Sequence, residues 1–329
     1  MKMLAARAGL PRKECANIIR GVTQKPFDIV VVGGINTDFV LRGERVPNRG
    51  ETVVMEEFFQ GPGGKGANQA VAAARLGARV AMIGCVGNDE RGDAAIANLR
   101  REGVETKWIA RAKRHTGLAL ILVDKSGEKS IGANAGANTK LTGTHVNAAR
   151  EVISSCKVLL MNLEVPDAAL LAAAKLMKGG RVILDPAPAR KLSKELLQLV
   201  EVIRPNSSEA EFLTGIEVCD LKSARKAAAA LRKKGPAIVV VQTGEGGDLL
   251  VTESEEIFLP HYKVKSVDAT GAGDAFAAAL AVGLADGKSD FAKIGRWASA
   301  TAALKTTRMG AQAGLPTRRA LESFLRDHH

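Results

Sequence analysis

The sequence predicts an α/β fold: a doubly wound, mainly parallel central sheet flanked by helices, with a small antiparallel β lid. Three observations predict it. Apolar runs of strand length alternate with helical periods from Pro26 onward. Those runs are continuous and rich in Val and Ile, the mark of strands covered on both faces. Two segments then break the rhythm, showing strand pattern with no helix between.

The elements run in the order "DIVVVGG", "ANQAVAAARLG", "RVAMIGCVG", "DAAIANLRREG", "KVLLMNLEV", "DAALLAAAKLM", "RVILDPAP", "VIRPN", "SARKAAAALRKKG" and "AIVVVQTG". Strand followed by helix followed by strand needs a crossover, and crossovers make parallel pairs. Further on, "KVKSVDA" reads as a short strand leading into the helix "DAFAAALAVGLADG", with Gly287 as its C-terminal glycine. The exceptions, "TDFVLRGERVPNRGETVVMEEFFQ" (37–60) and "TGLALILVDKSGEKSI" (116–131), read as strands joined by turns. Antiparallel excursions of this kind form lids, and their edges favour pairing with a second copy of the chain. No long linker or internal repeat intervenes, so residues 26–329 read as one main domain with an inserted lid.

With 329 residues and 46% hydrophobic content, the chain can bury a large core. Its formal charge of +12 comes from short scattered clusters such as "RAKRH" and "RKK", which read as solvated surface. One Tyr and two Trp give a base-stacking platform little to stand on, so nucleic-acid binding is disfavoured. Cys15, Cys85, Cys156 and Cys219 include no C-x-x-C pair, which argues against a zinc site or a disulfide framework and for a reducing cytoplasm. The longest apolar stretch, "AFAAALAVGLA" from Ala275, falls far short of the roughly 20 residues that span a bilayer.

Residues 1–25 carry six basic and one acidic side chain and lack a secretory apolar core. They read as an N-terminal extension, disordered or loosely helical, with an organellar presequence as a second reading. A third is a helix-turn-helix remnant, because "LAARAGLPRKECANIIRG" resembles the opening of a LacI-type DNA-binding domain. No third helix fits before Lys25, which disfavours sequence-specific DNA binding.

Three Gly-rich loops remain. "GGINTD" follows the first strand, but Asn36 and Asp38 stand where a dinucleotide fingerprint wants glycine and small residues, so a nicotinamide dehydrogenase is disfavoured. "GPGGKGAN" places Gly66 after Lys65, where a Walker loop requires Ser or Thr. "DATGAGDAF" sits at a helix start. There the backbone N–H groups of Gly271, Ala272 and Gly273 make an anion hole at the positive end of a helix dipole. Asp274 beside it is placed to take a proton from an attacking hydroxyl while those groups hold charge on a transferring phosphoryl group. Alone, "GAGD" is as well explained by an ordinary turn with an acid at its end.

Its companions decide between these readings. "GGINTD", "GGKGANQAVAAARLGA", "GNDERGD", "NLEVP", "DPAPA", "PNSSEAEFLTG" and "DATGAGDAF", in this order and ending in "TRMGAQAGLPTRRALESFL", resemble the ribokinase branch of the PfkB carbohydrate kinase family over roughly residues 27–327. The resemblance implies ATP-dependent phosphorylation of a sugar, D-ribose at O5 foremost, since "GGKGANQA" and "GANAGAN" favour it. Fructokinase, deoxyribokinase and nucleoside kinase stay open as alternatives. So does a DNA-associated sugar sensor using residues 1–25, against which retention of Asp274 argues. The lid is then expected to cover the sugar and to pair subunits in a homodimer.

Residue roles follow from the same resemblance. Asp274 is implied as catalytic base, with Gly271, Ala272 and Gly273 as the anion hole; phosphoryl transfer needs positioning and charge neutralisation more than a strong base. Asn36, Asp38, Gly64, Lys65, Gly66, Ala67, Asn68 and Glu164 are implied around the sugar. For ATP the match is Asn206, "QTGEGG" (Gln242, Thr243, Gly244, Glu245, Gly246 and Gly247) and the segment around Ala298 and Ser299. Gln242 stands at the family's usual threonine position, which leaves the hydroxyl contact to ATP open. Glu209 is implied to organise Mg²⁺ through water, and on spacing alone Asn206 and Glu209 make a capping box. Activation by K⁺ is implied too, with Asp268 and Thr270 as first ligands and main-chain carbonyls from Lys305, Arg308 and Gly310. At Gly314 some members place a serine that completes the shell.

Overall fold

A computed structural model describes residues 27–244 and 246–328; the readings of residues 1–25, and Glu245, lie outside the described residues. The strands are β1 (Ile29–Val32), β2 (Asn36–Arg42), β3 (Glu57–Gly63), β4 (Val80–Gly87), β5 (Glu105–Ala112), β6 (Gly117–Val123), β7 (Lys129–Asn134), β8 (Val158–Asn162), β9 (Arg181–Asp185), β10 (Val202–Ile203), β11 (Ile238–Gln242), β12 (Gly247–Val251) and β13 (Glu256–Pro260). Nine of them form the main sheet in the order β13-β12-β11-β10-β9-β8-β1-β4-β5. Pairing is parallel from β11 through β5 and antiparallel only at the β11-β12-β13 edge.

The reading from continuous apolar runs holds because each run feeds two cores at once. Ile29 and Val31 pack on one face of the sheet, Val30 and Val32 on the other, and all four are fully buried. Each such side chain contributes about 1.5–3 kcal/mol on burial. On one face lie the helices Lys65–Arg75, Ala272–Ala285 and Phe291–Thr306; on the other lie Asp167–Leu176 and Leu221–Arg232.

The Ala272–Ala285 helix is buried all round from Asp274 to Ala285. Its alanines and glycines let neighbours approach closely: a Cβ on Gly283 would come 2.9 Å from the Ile294 side chain. A helix without a polar face cannot turn toward water, so its N-terminus is held where the core puts it. That position lies near the carboxyl ends of β1, β8, β9 and β10, beside the point where strand order reverses at β1.

The lid is a separate four-stranded sheet, β3-β2-β6-β7, built from the two segments that read as strands without helices; each segment makes an antiparallel pair, and the two pairs join through parallel β2 and β6. Its strands reach slightly further than expected, over 36–63 and 117–134. Ala119, Ile121, Val123 and Val40 pack on its inner side, while Phe39 stacks on Phe58 on the other, where Phe58 and Leu120 are exposed. Three strands went unread in the sequence: the edge strands β5 and β13, and β12 beside β13. Conversely, "KVKSVDA" is no strand. Its backbone turns to the end of the Phe291–Thr306 helix, where the N–H groups of Val267 and Asp268 both donate to the Thr306 carbonyl, at 2.7 and 2.9 Å.

Candidate active site

Two helix tips converge on one polar centre. The Lys65–Arg75 helix starts at Gly64, whose φ of 89° suits glycine; a Cβ there would lie 2.6 Å from the Asn36 nitrogen. Its first N–H groups are answered from within: Lys65 N donates to Glu164 Oε2 at 2.7 Å, and Ala67 N to the Gly34 carbonyl at 3.0 Å. Gly66 must be small, since a Cβ would come 2.7 Å from the Gly33 carbonyl carbon.

The Ala272–Ala285 helix starts at Gly271, φ 83°. Here Ala272 N–H is turned inward to the Ala269 carbonyl at 3.1 Å, so it does not serve as the open donor the sequence suggested. The N–H groups of Gly271, Gly273 and Asp274 have no acceptor among the described residues. Asp274 is 4% exposed and held by Asn68 Nδ2 at 2.8 Å and Gln69 Nε2 at 3.4 Å, with Lys65 Nζ 4.0 Å away.

Amide side chains that the sequence reading passed over build the surroundings. Gln69 also donates to Asp185 at 2.7 Å and accepts from Asn162 at 3.2 Å. Gln312 links Asn68 (3.1 Å) to Asn98 (2.7 Å). Asn138, the last residue of "GANAGAN", accepts from Ile35 N at 2.9 Å and donates to Asn36 Oδ1 at 2.7 Å. That stretch is therefore the anchor of Asn36, not a bare turn. Asn36 in turn donates to Glu164 Oε1 at 3.3 Å.

Burial shapes the charges. It raises the pKa of Asp38 to about 6, helped by the nearby Asp274 and Asp268 charges. It raises Glu164 and Asp185 to about 7, with Lys65 opposing in both. For Lys65 itself burial disfavours the charge, but Asp274, Asp185, Glu164 and Glu209 together more than offset this and hold it protonated. Asp38 lies against Gly63, where a Cβ would be 2.1 Å from its carboxyl carbon.

A cleft of about 520 Å³ opens from Asp274 and the 271–273 turn outward past Lys65, Asn206, Glu209, Gln242 and Ser299. Ala298 is fully buried behind it. Of the "QTGEGG" loop, only Gln242 lines this cleft among the described residues. Thr243 is buried and closes the turn, its N–H and hydroxyl both donating to the Gly247 carbonyl, at 2.9 and 3.1 Å. Gly244 packs on the Cys219 carbonyl, the Gly246 carbonyl accepts from His261 N, and Gly247 lies under the Phe258 ring. Asn206 and Glu209 form the expected capping box, at 2.8 and 2.9 Å. Glu209 keeps its other carboxylate oxygen without a partner among the described residues, so a single carboxylate is available to a hydrated Mg²⁺, which suits that ion.

Arg204, read only as part of a strand, also lines this cleft. Its guanidinium stacks on Phe276 at 4.8 Å and pairs with Asp248 at 3.4 Å, and its Nη1 would be 3.0 Å from a Cβ on Gly273. Its Nε is buried without a partner among the described residues. A second cavity of about 340 Å³ lies under the lid, lined by Asp38, Val40, Phe59, Lys129, Thr270 and Gln312 among others.

The expected cation ligands gather, but their arrangement differs from expectation. Lys305 Nζ donates to the carbonyls of Asp268 (2.8 Å) and Arg308 (3.3 Å), and Gly310 N donates to Asp268 Oδ2 at 2.9 Å. Asp268 Oδ1 accepts from Lys129 Nζ at 2.6 Å. Burial alone would raise the Asp268 pKa, yet the hydrogen bonds from Lys129 and Thr270 overcome it and hold the carboxyl below its usual range. A side-chain ammonium thus stands among the carbonyls expected to hold K⁺, and the residues present do not fit a free ion.

A model described as "pfkB family carbohydrate kinase" matches residues 27–318. The chain belongs to that family. Ribokinase of Haemophilus influenzae is 40% identical over 300 residues, covering 90% of this chain and 98% of its own. Mouse ribokinase is 41% identical over 263 residues, covering 78% and 81%. Among solved structures, Arabidopsis thaliana ribokinase, described as complexed with ribose and ATP, matches with a TM-score of 0.83 at 31% identity, covering 91% and 99%. The α/β sheet, flanking helices and four-stranded lid are therefore those of pfkB kinases.

Proposed function

We propose that the chain transfers the terminal phosphoryl group of ATP to O5 of D-ribose. One observation carries this reading: Asp274 stands on a helix tip with open N–H groups and lines a cleft large enough for a nucleotide, while Thr270, in the turn leading into that helix, lines the cavity roofed by the lid. The similarity to ribokinases over nine-tenths of the chain supports the choice of sugar.

In the proposed step, Asn36, Asp38 and the Gly64–Asn68 turn hold the sugar hydroxyls, and Glu164 fixes both Asn36 and the turn. Asp274 accepts the O5 proton as O5 bonds to the terminal phosphorus. The bond from that phosphorus to the bridging oxygen breaks, and ADP leaves with the electron pair. The N–H groups of Gly271 and Gly273, with Lys65 and Arg204, stabilise the charge on the moving group. Mg²⁺, bound with ATP and reached from Glu209 through water, would neutralise phosphate charge. Gln242 and Ser299 border the nucleotide, while Thr243 keeps the adjoining loop closed.

Lid pairing between two copies is part of this reading. The outward apolar face bearing Phe39, Phe58 and Leu120 is of the kind that partners cover. A cytoplasmic setting agrees with the thiols of Cys85 and Cys219, which form no disulfide among the described residues, where no helix is long and apolar enough to cross a membrane.

A coupled ADP-release assay across ribose, deoxyribose, fructose and adenosine tests the reading. The highest kcat/KM is expected with ribose. Equal or greater kcat/KM with another acceptor would reassign the substrate, and no ADP release with any of them would refute the reaction.

A further inference from the structure

Lys305 lies in the last turn of the Phe291–Thr306 helix, and its side chain has no exposure to solvent. An ammonium has three N–H donors and no acceptor, so a buried one persists only where oxygens surround it. Lys305 meets that condition with the carbonyls of Asp268 (2.8 Å) and Arg308 (3.3 Å) and the Asp268 carboxylate, whose Oδ2 is 3.7 Å away. These are oxygens of the kind that would dehydrate a monovalent ion.

Gly314 is the second half of the arrangement. A Cβ there would stand 2.8 Å from the Lys305 carbonyl oxygen, 3.0 Å from that of Arg308 and 3.2 Å from Lys305 Cε. A serine at 314, able to offer a hydroxyl to an ion, would crowd the lysine side chain in its present place. The lysine and the glycine therefore fit each other. Charge points the same way: Asp268 already faces two ammonium groups, Lys305 from the helix and Lys129 from β7 at 2.6 Å. A third cation in this space would gain no second carboxylate and would meet two like charges.

We propose that Lys305 is a tethered monovalent cation, its ammonium permanently filling the place of a free ion beside the phosphate-binding turn, so that this enzyme works without K⁺. The ammonium fixes the Asp268 carbonyl and hence the backbone entering Thr270–Gly273. It also keeps positive charge next to the tip that faces the phosphates. The activity arm of the test rests on the sugar kinase reading; the binding arms do not.

The experiment compares K⁺ with tetramethylammonium at fixed ionic strength, in buffer free of sodium. For the unaltered protein, ADP release and Tm should be the same in both, and thallous ion, followed by thallium NMR as a K⁺ probe, should show no saturable binding. The Lys305→Ala/Gly314→Ser double variant should bind thallous ion, gain Tm with K⁺, and recover turnover by about tenfold or more when K⁺ is added. Lys305→Met, which fills the space without charge, should lose turnover and gain none back from K⁺. Saturable thallous binding by the unaltered protein, or its activation by K⁺ of about tenfold, would overturn the proposal. So would a folded double variant that ignores K⁺. Should the double variant fail to fold, thallous binding to the unaltered protein decides alone. A protein that phosphorylates no sugar in either salt would sink the kinase reading and leave the thallous and Tm results standing on their own.

Discussion

The two helix tips at the centre of the molecule begin alike and end up with opposite duties. Gly64 and Gly271 both open a helix from the left-handed region, and neither supplies a capping side chain. At the Lys65–Arg75 helix the first N–H groups are taken by Glu164 and the Gly34 carbonyl. At the Ala272–Ala285 helix Ala272 is satisfied from within, and the donors of Gly271, Gly273 and Asp274 have no acceptor among the described residues. The lesson is that a glycine at a helix start does not make an anion site; the absence of an internal carboxylate does. The closed tip supplies shape, and the open tip supplies electrostatics.

Substitutions at each tip put this contrast at risk. The largest effect belongs to the open one: Asp274→Ala should lower kcat by about 10² to 10⁴ while leaving sugar affinity nearly intact, measured by steady-state kinetics and calorimetric titration. A near-normal rate would remove Asp274 from the chemistry. Next comes Asp38, packed on Gly63 just before the closed tip. Asp38→Ala should raise the sugar KM by about 10- to 100-fold, the worth of hydrogen bonds to a charged group, with a smaller change in kcat.

Glu164→Gln should act on the closed tip by turning one of two accepting oxygens into a donor that faces an N–H, costing about 1 kcal/mol and roughly 2 °C in Tm. A collapse of kcat with no change in Tm would make Glu164 chemical instead of supporting. The smallest effect is in pH dependence. The Asp185 pKa is raised from 3.8 to about 7 in the folded protein, chiefly by burial. Folding thus favours its protonated form; the contribution is full below pH 3.8 and is lost as pH rises through about 7. Asp185→Asn should therefore flatten the fall in Tm of the ligand-free protein between those limits, and an unchanged slope would count against the assignment.

Much of the polar centre was legible because many of its residues cluster in short motifs at strand ends and helix starts. Asn68 and Lys65 meet Asp274, Asn36 bonds Glu164, and Asp38 packs on Gly63. The residues that hold them were not legible. Gln69, Asn138, Asp185, Arg204 and Gln312 are buried polar groups scattered across the chain, and each gains its meaning only from a partner far away in sequence, as with Gln312 and Asn68. A lone Asn in "GANAGAN" or an Arg before "PN" carries no local signal. The loop after Gln242 illustrates the reverse error, since Thr243 looked available to a nucleotide but spends its hydrogen bonds on closing its own turn.

By itself the sequence determined the layered sheet, the lid and the glycine-led helix start that bears Asp274, since period, β-branching and glycine placement act over a few residues and need no partner. Only the tertiary structure decided which helix end stays open and what fills the space beside Asp268. Both depend on whether a charged group from a distant segment arrives first, and in the low-dielectric interior that arrival outweighs any local preference.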